Sequence, residues 1–200
     1  MKNTISALAL MSSAFLLSGC GSSSSSDSGV SVSIPFKAVA GSETITCGDT
    51  LSGLGLNNTD VKIADFRLFL HDIKLITDQN IEIPVVLDST QNSQNSDVAL
   101  LDFRDKVEVI GDSTEVCAEN TTVNSVANPN YNDTIKGAVS FDSAYTISHI
   151  QFTLGVPFSL NHQDQSGAVE PLRNPGQATG MHWNWQNGYK FTAFDVRPVG

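Results

Sequence analysis

The segment MHWNWQNGYKF, from Met181 to Phe191, concentrates the side chains of this chain that are best suited to chemistry. It holds both tryptophans, Trp183 and Trp185, with a methionine and a histidine immediately before them. Copper accepts histidine and methionine as ligands, whereas a pair of indoles can stack on sugars or pack in a core. Composition alone therefore leaves three interpretations: a metal or redox site, a sugar-stacking platform, or a core strand.

Alternation along an extended strand narrows the choice within this segment. Successive side chains of a strand point to opposite faces. We therefore expect Met181, Trp183 and Trp185 on one face and His182 on the other. The two tryptophans then form one patch that His182 does not share.

Three further histidines lie elsewhere in the chain: His71, His149 and His162. Neutral imidazole is the commonest metal ligand in proteins. His71 lies in an apolar run with Asp72 beside it, where a single histidine is more often a hydrogen-bonded core residue than a ligand. His162 lies in PFSLNHQD at the start of a long loop, Leu160 to Gly180, and long loops in compact domains are commonly functional.

The sequence gives little support to an enzyme or to a nucleic-acid partner. It contains no Gly-rich phosphate loop, no nucleophile elbow and no HExxH motif. Serine, histidine and aspartate all occur, but their order singles out no triad. The formal net charge of -10 repels phosphate backbones. Such a surface attracts cations or a basic protein. Alternatively, the negative charge only keeps the protein soluble.

The N-terminus predicts export and lipid anchoring. Lys2 precedes the apolar run ISALALMSSAFLLSG, and Cys20 follows it, which is typical of a signal peptide. The ending LSGC resembles a bacterial lipobox, which implies cleavage before Cys20 and a lipid on its sulfur. Glycine rather than aspartate comes next, which favours the outer membrane. We predict a signal peptide at 1–19, a lipidated Gly/Ser tether at 20–29 and one domain at 30–200; an ordinary secreted protein is the alternative.

Two cysteines remain in the predicted domain, Cys47 and Cys117. Disulfides persist in an oxidising compartment, so we expect these two residues to pair. A two-cysteine copper or zinc site is the alternative that spacing leaves open.

The pattern of the chain predicts an all-β domain. VSVSIPFKAVA alternates apolar and polar residues, and IEIPVVLD after the turn TDQN reads as a returning strand that Pro84 pushes towards an edge or bulge. In VKIADFRLFLHDIKLI both faces carry apolar side chains, as in a strand buried between two layers: Phe66, Leu68 and Leu70 on one face, and Phe69, His71, Ile73 and Leu75 on the other. Many short strands between turn signals predict a single antiparallel sandwich or barrel with long loops.

Six motifs in a fixed order carry a family resemblance: CGDTLSGLG, DFRLFLHDIKLI, VALLDF, FTLGVPFSLNH, PL and WNWQNGYKF. They extend from roughly Val30 to Val196 and resemble the MbnP-like family, also described as the four-Cys member of the metallo-mystery pair. Members include the periplasmic copper-binding protein of methanobactin operons.

The resemblance implies an all-β extracytoplasmic domain that binds Cu(I), uses no organic cofactor and has a MauG-like di-haem peroxidase as its partner. It implies that the partner oxidises a tryptophan to kynurenine, so that this protein is a substrate and not an enzyme. Carried over by position, His71 and His162 fall on motif histidines and become the candidate copper ligands. Trp183 and Trp185 fall on the WxWQ motif, and both are candidates for oxidation. The other two histidines match no motif histidine.

The chain departs from the family pattern at its cysteines and at its end. The family name counts four cysteines in the mature domain, whereas this domain has Cys47 and Cys117 alone. The family also continues past the GYKF strand into a segment with a histidine and the other two cysteines, while this chain stops at FDVRPVG. We therefore expect the domain to be incomplete at its C-terminus, with an unpaired sheet edge.

Two other interpretations stay open beside copper binding: a surface lipoprotein whose tryptophans stack on sugars, and a structural lipoprotein without a ligand. Exposed rings at Trp183 and Trp185 favour the sugar platform. Burial of either ring beside His71 or His162 favours copper.

Overall fold

The computed structural model describes residues 29–45, 50–104, 132–140 and 145–199. Within these ranges the secondary structure is almost entirely antiparallel β, which confirms the predicted fold class. Its elements in chain order are β1 Val30–Pro35, β2 Val39–Ala40, β3 Glu43–Thr44, β4 Thr50–Leu54, β5 Thr59–Thr77, β6 Glu82–Pro84, β7 Val86–Leu87, β8 Ala99–Asp102, β9 Thr134–Val139, β10 Ile147–Leu154, α1 Phe158–Asn161, β11 His182–Asn184, β12 Gly188–Tyr189 and β13 Thr192–Pro198.

The 19-residue strand β5 organises the larger sheet. On one edge, β13 pairs with its first half and β10 with its second half. On the other edge lie β4, β8 and β6 in that order along β5. A smaller sheet has the order β1-β9-β7. The chain changes sheets directly after Pro84, because β6 pairs with β5 whereas β7 pairs with β9.

Both faces of β5 are buried, as the sequence predicts. One face meets the smaller sheet in the main core, whose members include Ile34, Leu70, Ile73, Leu101 and Ile135. The opposite face carries a second core, formed with the segment that follows β10 and comprising Phe69, Val98, Leu100, Val156, Leu172, Ala178, Met181, Tyr189 and Ala193. This second core places the tryptophan segment over the middle of β5.

A β-bulge at Asp72 interrupts the alternation of β5. Asp72 has φ 49°, in the left-handed region that few non-glycine residues adopt. Three steps along β5, from His71 to Lys74, match two steps along β10, from Thr153 to Gln151. One extra residue in β5 therefore reverses the faces of the side chains that follow.

The bulge corrects one prediction made from the sequence. Strict alternation places Phe69, His71, Ile73 and Leu75 on one face, but Ile73 and Leu75 pack in the main core together with Leu70. Phe69 packs in the second core on the opposite face. His71 precedes the bulge and so keeps the Phe69 face. The histidine consequently faces the layer that contains the tryptophan segment.

Several predictions lie outside the described residues. These are the signal peptide, lipidation at Cys20, and the pairing of Cys47 with Cys117. No helix among the described residues is long and apolar enough to span a bilayer.

Candidate functional site

Residues Met181 to Phe191 form a short hairpin, called here the Trp hairpin. Strand β11 pairs with β12, with His182 opposite Tyr189. The side-chain oxygen of Asn184 closes the turn by accepting the backbone N–H groups of Gln186 and Asn187 at 3.0 and 2.8 Å. At the base, the backbone N–H of Lys190 donates to the Met181 carbonyl at 2.7 Å. These bonds make the hairpin a defined unit above the sheet.

The two tryptophans are on the outer face of the Trp hairpin. Trp183 is 67% exposed and Trp185 is 68% exposed. His182 is on the opposite, inner face, as alternation predicts. The prediction that Met181 shares the tryptophan face is wrong, because Met181 is fully buried in the second core. Its backbone N–H closes a bend by donating to the Ala178 carbonyl at 2.8 Å, so regular alternation begins only after it.

The two indoles have different electrostatic surroundings. The ammonium nitrogen of Lys190 lies 4.6 Å from the centroid of the Trp183 ring, in a cation–π contact. Among the described residues, no lysine or arginine lies over the Trp185 ring in this way. Trp183 therefore has a positive charge against its π face that Trp185 does not have.

His162 touches the turn of the Trp hairpin. Its Nδ1 lies 2.9 Å from the backbone carbonyl oxygen of Trp185, and its Nε2 lies 3.2 Å from the side-chain amide nitrogen of Asn161. A carbonyl oxygen only accepts hydrogen bonds, so Nδ1 must carry the proton. The lone pair then belongs to Nε2, which accepts a hydrogen bond from the Asn161 amide group. His162 itself is exposed.

His71 approaches the same layer from β5. It pairs with Thr153 of β10 and is partly buried. Two residues earlier on the same face, the ring of Phe69 packs edge-on against Tyr189, with centroids 5.8 Å apart. His71 therefore lies on the face of β5 that carries the second core, whereas His162 contacts the turn of the Trp hairpin.

No preformed cluster of three metal ligands exists among the described residues. No three histidine, cysteine, aspartate or glutamate side chains in this part of the chain are grouped so that they could hold a metal ion. The structure thus brings His162 against the backbone of Trp185, and it places His71 on the Phe69 face of β5. It does not unite the two histidines with a third ligand.

His182 is a histidine that motif matching leaves out and that the structure makes prominent. Both of its ring nitrogens are buried, and neither has a hydrogen-bond partner among the described residues. Its ring packs edge-on against Tyr189 at 4.7 Å. Burial lowers its pKa, which favours the neutral imidazole. Alternation separates His182 from the tryptophans, but only the tertiary packing shows that its own face is the buried one.

His149 is an ordinary surface histidine rather than a candidate ligand. It is exposed on β10, and its Nδ1 lies 2.8 Å from the hydroxyl of Ser148. A surface imidazole with a local partner needs no ligand to explain it.

The chain is similar to known proteins over almost all of its described length. The family model described as MbnP matches residues 29–199. A solved structure, MbnP from Methylosinus trichosporium, matches with a TM-score of 0.63 and 28% sequence identity. That match covers 86% of this chain and 56% of the other, so the chain spans little more than half the length of its solved relative. No curated protein matches the chain.

Proposed function

Since the chain belongs to the MbnP family, we propose that it is a lipid-anchored Cu(I)-binding protein of the bacterial cell envelope. We propose further that a MauG-like di-haem peroxidase oxidises one tryptophan of the Trp hairpin to kynurenine. Family membership supports the extracytoplasmic location. The observation that carries the site is the contact of His162 with the Trp hairpin, because its Nδ1–H donates to the Trp185 carbonyl and fixes the ring beside the two tryptophans.

The exposure of both indoles suits oxidation by a partner protein. A haem enzyme that acts on another protein removes electrons across the interface, and a target at the surface keeps the distance of that transfer short. Trp183 and Trp185 are both about two-thirds exposed. The protein supplies the reacting side chain, and the haem cofactor supplies the oxidising power. In this proposal the chain is a substrate and not an enzyme.

The proposed oxidation balances with hydrogen peroxide as the terminal oxidant. The C2–C3 bond of the indole breaks, and each of these carbons gains an oxygen atom from water to give N-formylkynurenine. Four electrons pass through the haem partner to two molecules of hydrogen peroxide, which take up the four released protons and become four molecules of water. Hydrolysis of the formyl group then releases formate and leaves kynurenine.

Kynurenine and imidazole are a donor set that fits copper. The indole N–H only donates hydrogen bonds, whereas kynurenine offers an aryl amine and a ketone. His71 and His162 are the candidate histidine ligands, and imidazole suits copper among the transition metals. The unpartnered nitrogens of His182 show that the inner face of the hairpin also leaves donor atoms unused. When bound, copper would supply a redox-active or transportable ion.

Tandem mass spectrometry tests the maturation step. The full chain is purified after expression with and without a di-haem partner, and the peptide containing Trp183 and Trp185 is sequenced. We expect a kynurenine in this peptide only when the partner is present. Unmodified tryptophan at both positions after exposure to active partner and peroxide contradicts the proposal.

Copper titration tests the ligands. Competition of the full chain with a chromogenic Cu(I) chelator should show weaker binding for the His71→Ala, His162→Ala double variant. The matched control is His149→Ala, which removes an exposed histidine that already has a local partner. Equal Cu(I) affinity in wild type and double variant removes both histidines from the site.

One observation favours a second candidate function. Exposed tryptophans are what a sugar-stacking platform requires, and Trp185 meets His162 through its backbone rather than its ring. Tryptophan fluorescence during titration with soluble oligosaccharides separates the two functions. A saturable response that Trp185→Ala abolishes, in a chain that binds no Cu(I), supports the sugar-binding lipoprotein instead.

A further inference from the structure

Strand β13 lies at an edge of the larger sheet. It pairs with β5 on one side, and no strand among the described residues pairs with its other side. Every residue of β13 except Ala193 is exposed, including the large apolar side chains of Phe194 and Val196. An edge strand presents a row of backbone N–H and C=O groups that another strand can bind. β13 therefore offers an edge for strand addition.

Backbone bonds at the two ends of β13 show which of its peptide groups point outwards. Just before the strand, the carbonyl of Phe191 accepts a backbone N–H of β5 at 3.0 Å, and just after it the N–H of Val199 donates to a backbone carbonyl of β5 at 2.9 Å. Residues two apart in a strand direct these groups to the same side. The one irregularity in this pairing has its extra residue in β5 and not in β13. The N–H and C=O groups of Phe194 and Val196 therefore point away from β5.

The charged side chains of β13 complement those of a second, antiparallel copy of the strand. Asp195 and Arg197 are both exposed and lie on the same face. When two copies meet about a two-fold axis through Val196, Asp195 of each copy lies opposite Arg197 of the other. Val196 then forms the central hydrogen-bonded pair, and the charged residues occupy the neighbouring pairs, in which side chains approach most closely. An axis through Asp195 instead sets aspartate against aspartate, which is unfavourable.

The same register covers the exposed apolar side chains on the other face of β13. Phe194 is 50% exposed and Val196 is 39% exposed. The ring of Phe194 packs edge-on against Phe66, with centroids 5.2 Å apart, and Phe66 packs against the main core. In the two-fold arrangement Val196 meets its own copy, and Phe194 lies opposite Pro198 of the second copy. Association thus removes apolar surface from water on this face.

We propose that the edge of β13 is a homodimer interface, in which two copies of this chain join their larger sheets through antiparallel β13 strands about an axis at Val196. This inference is independent of copper binding and of tryptophan oxidation. The Trp hairpin comes directly before β13, so the two hairpins lie at opposite ends of the joined strands. At about 3.3 Å per residue, Thr192 of one copy is roughly 26 Å from Thr192 of the other along the strands. The dimer therefore keeps the two Trp hairpins apart.

Sedimentation velocity of the full chain tests the interface, in a detergent that keeps the N-terminal segment from associating. Wild type should form a dimer whose population rises with concentration. Asp195→Arg should raise the dimer dissociation constant at least about tenfold, because it turns both cross-strand charge pairs repulsive. The double variant Asp195→Arg, Arg197→Asp should restore the wild-type constant. Asp78→Arg is the matched control, since it makes the same charge change in the turn after β5 and should leave the constant unchanged.

Amide hydrogen exchange supplies a second readout that a change in folding would not mimic. The outward N–H groups of Phe194 and Val196 should be protected at high concentration in wild type and exchange rapidly in Asp195→Arg. The N–H of Val199, which bonds β5, should be protected in both. A chain that stays monomeric at every concentration, or a dimer that the charge reversal leaves intact, overturns the inference. Failure of the double variant to associate overturns the two-fold register.

Discussion

The side-chain oxygen of Asn161 accepts the buried backbone N–H of Tyr189 at 2.9 Å. The amide nitrogen of the same side chain lies 3.2 Å from Nε2 of His162. Asn161 is therefore a positioning residue, because one buried side chain at the end of α1 fixes both the returning strand of the Trp hairpin and the histidine at its turn. The tautomer of His162 follows from this contact and from the Trp185 carbonyl on the other side of the ring.

Asn161→Ala should destabilise the fold by about 1–3 kcal/mol, because it leaves a buried N–H without a partner. Urea denaturation measures the loss. Gln163→Ala is the matched control, since Gln163 is an exposed amide of the same segment that bonds the Ser159 carbonyl. A loss no greater than that of the control contradicts the role given to Asn161.

Gly188 leaves the space that the Asn161 side chain occupies beside the Trp hairpin. It has φ +72°, and a Cβ atom built on it would lie 2.5 Å from the side-chain amide atoms of Asn161. Gly188→Ala should therefore cost about 2 kcal/mol or more, from left-handed backbone strain and displacement of Asn161. Gly41→Ala is the control, because its φ is +64° but no atom lies within 4 Å of its Cβ position. Equal losses in the two variants, measured by denaturation, contradict the steric part of this explanation.

The sequence predicts that β5 lies between two layers, but it does not predict which layer each side chain of β5 faces. Apolar residues on both sides of β5 correctly indicate a strand between two layers, because burial on both faces removes the polar alternation. The position of the bulge cannot be predicted from the pattern of apolar residues. Aspartate at position 72 tolerates a positive φ, but nothing local shows that it adopts one, and this single residue decides that Ile73 faces the main core.

In the candidate site, too, alternation predicts the orientation of only some side chains. Alternation correctly separates His182 from Trp183, since both lie in the regular strand β11. It fails at Met181, one residue before that strand, where a bend formed with Ala178 turns the methionine into the core. Which side of the hairpin meets the sheet depends on contacts with Phe69 that are remote in sequence. The importance of His182 could therefore not be derived from the Trp motif.

Arg67 anchors the loop that leads into the Trp hairpin. It is 1% exposed, and its guanidinium donates to the carbonyls of Gln177 and Thr179 at 3.3 and 2.8 Å and pairs with Asp65. Arg67→Met should destabilise the fold by about 3–5 kcal/mol, because Asp65 and the loop carbonyls lose a buried partner. Lys74→Met is the control, and its surface pair with Glu82 predicts a much smaller loss in the same denaturation experiment. Similar losses in both variants contradict the anchoring role.

Lys190 should direct oxidation to Trp185 and away from Trp183. Accessibility does not separate the two rings, which are 67% and 68% exposed. Removal of an electron makes an indole radical cation, and the ammonium group 4.6 Å from the Trp183 centroid repels that charge. A surface cation–π contact of about 0.5–1 kcal/mol corresponds to about a two- to fivefold preference. Mass spectrometry after limited turnover by the haem partner should find kynurenine at Trp185 in that excess.

The charge of Lys190 can be tested apart from the partner. Lys190→Met removes the cation over Trp183, so the ratio of the two oxidised products should move towards equality. Lys136→Met changes the net charge by the same amount on β9, in the other sheet, and should leave the ratio as in wild type. A chemical one-electron oxidant should reproduce both results without the haem enzyme, because the preference belongs to the indoles and their surroundings. A ratio that depends on the partner and ignores Lys190 instead assigns the choice of tryptophan to docking geometry.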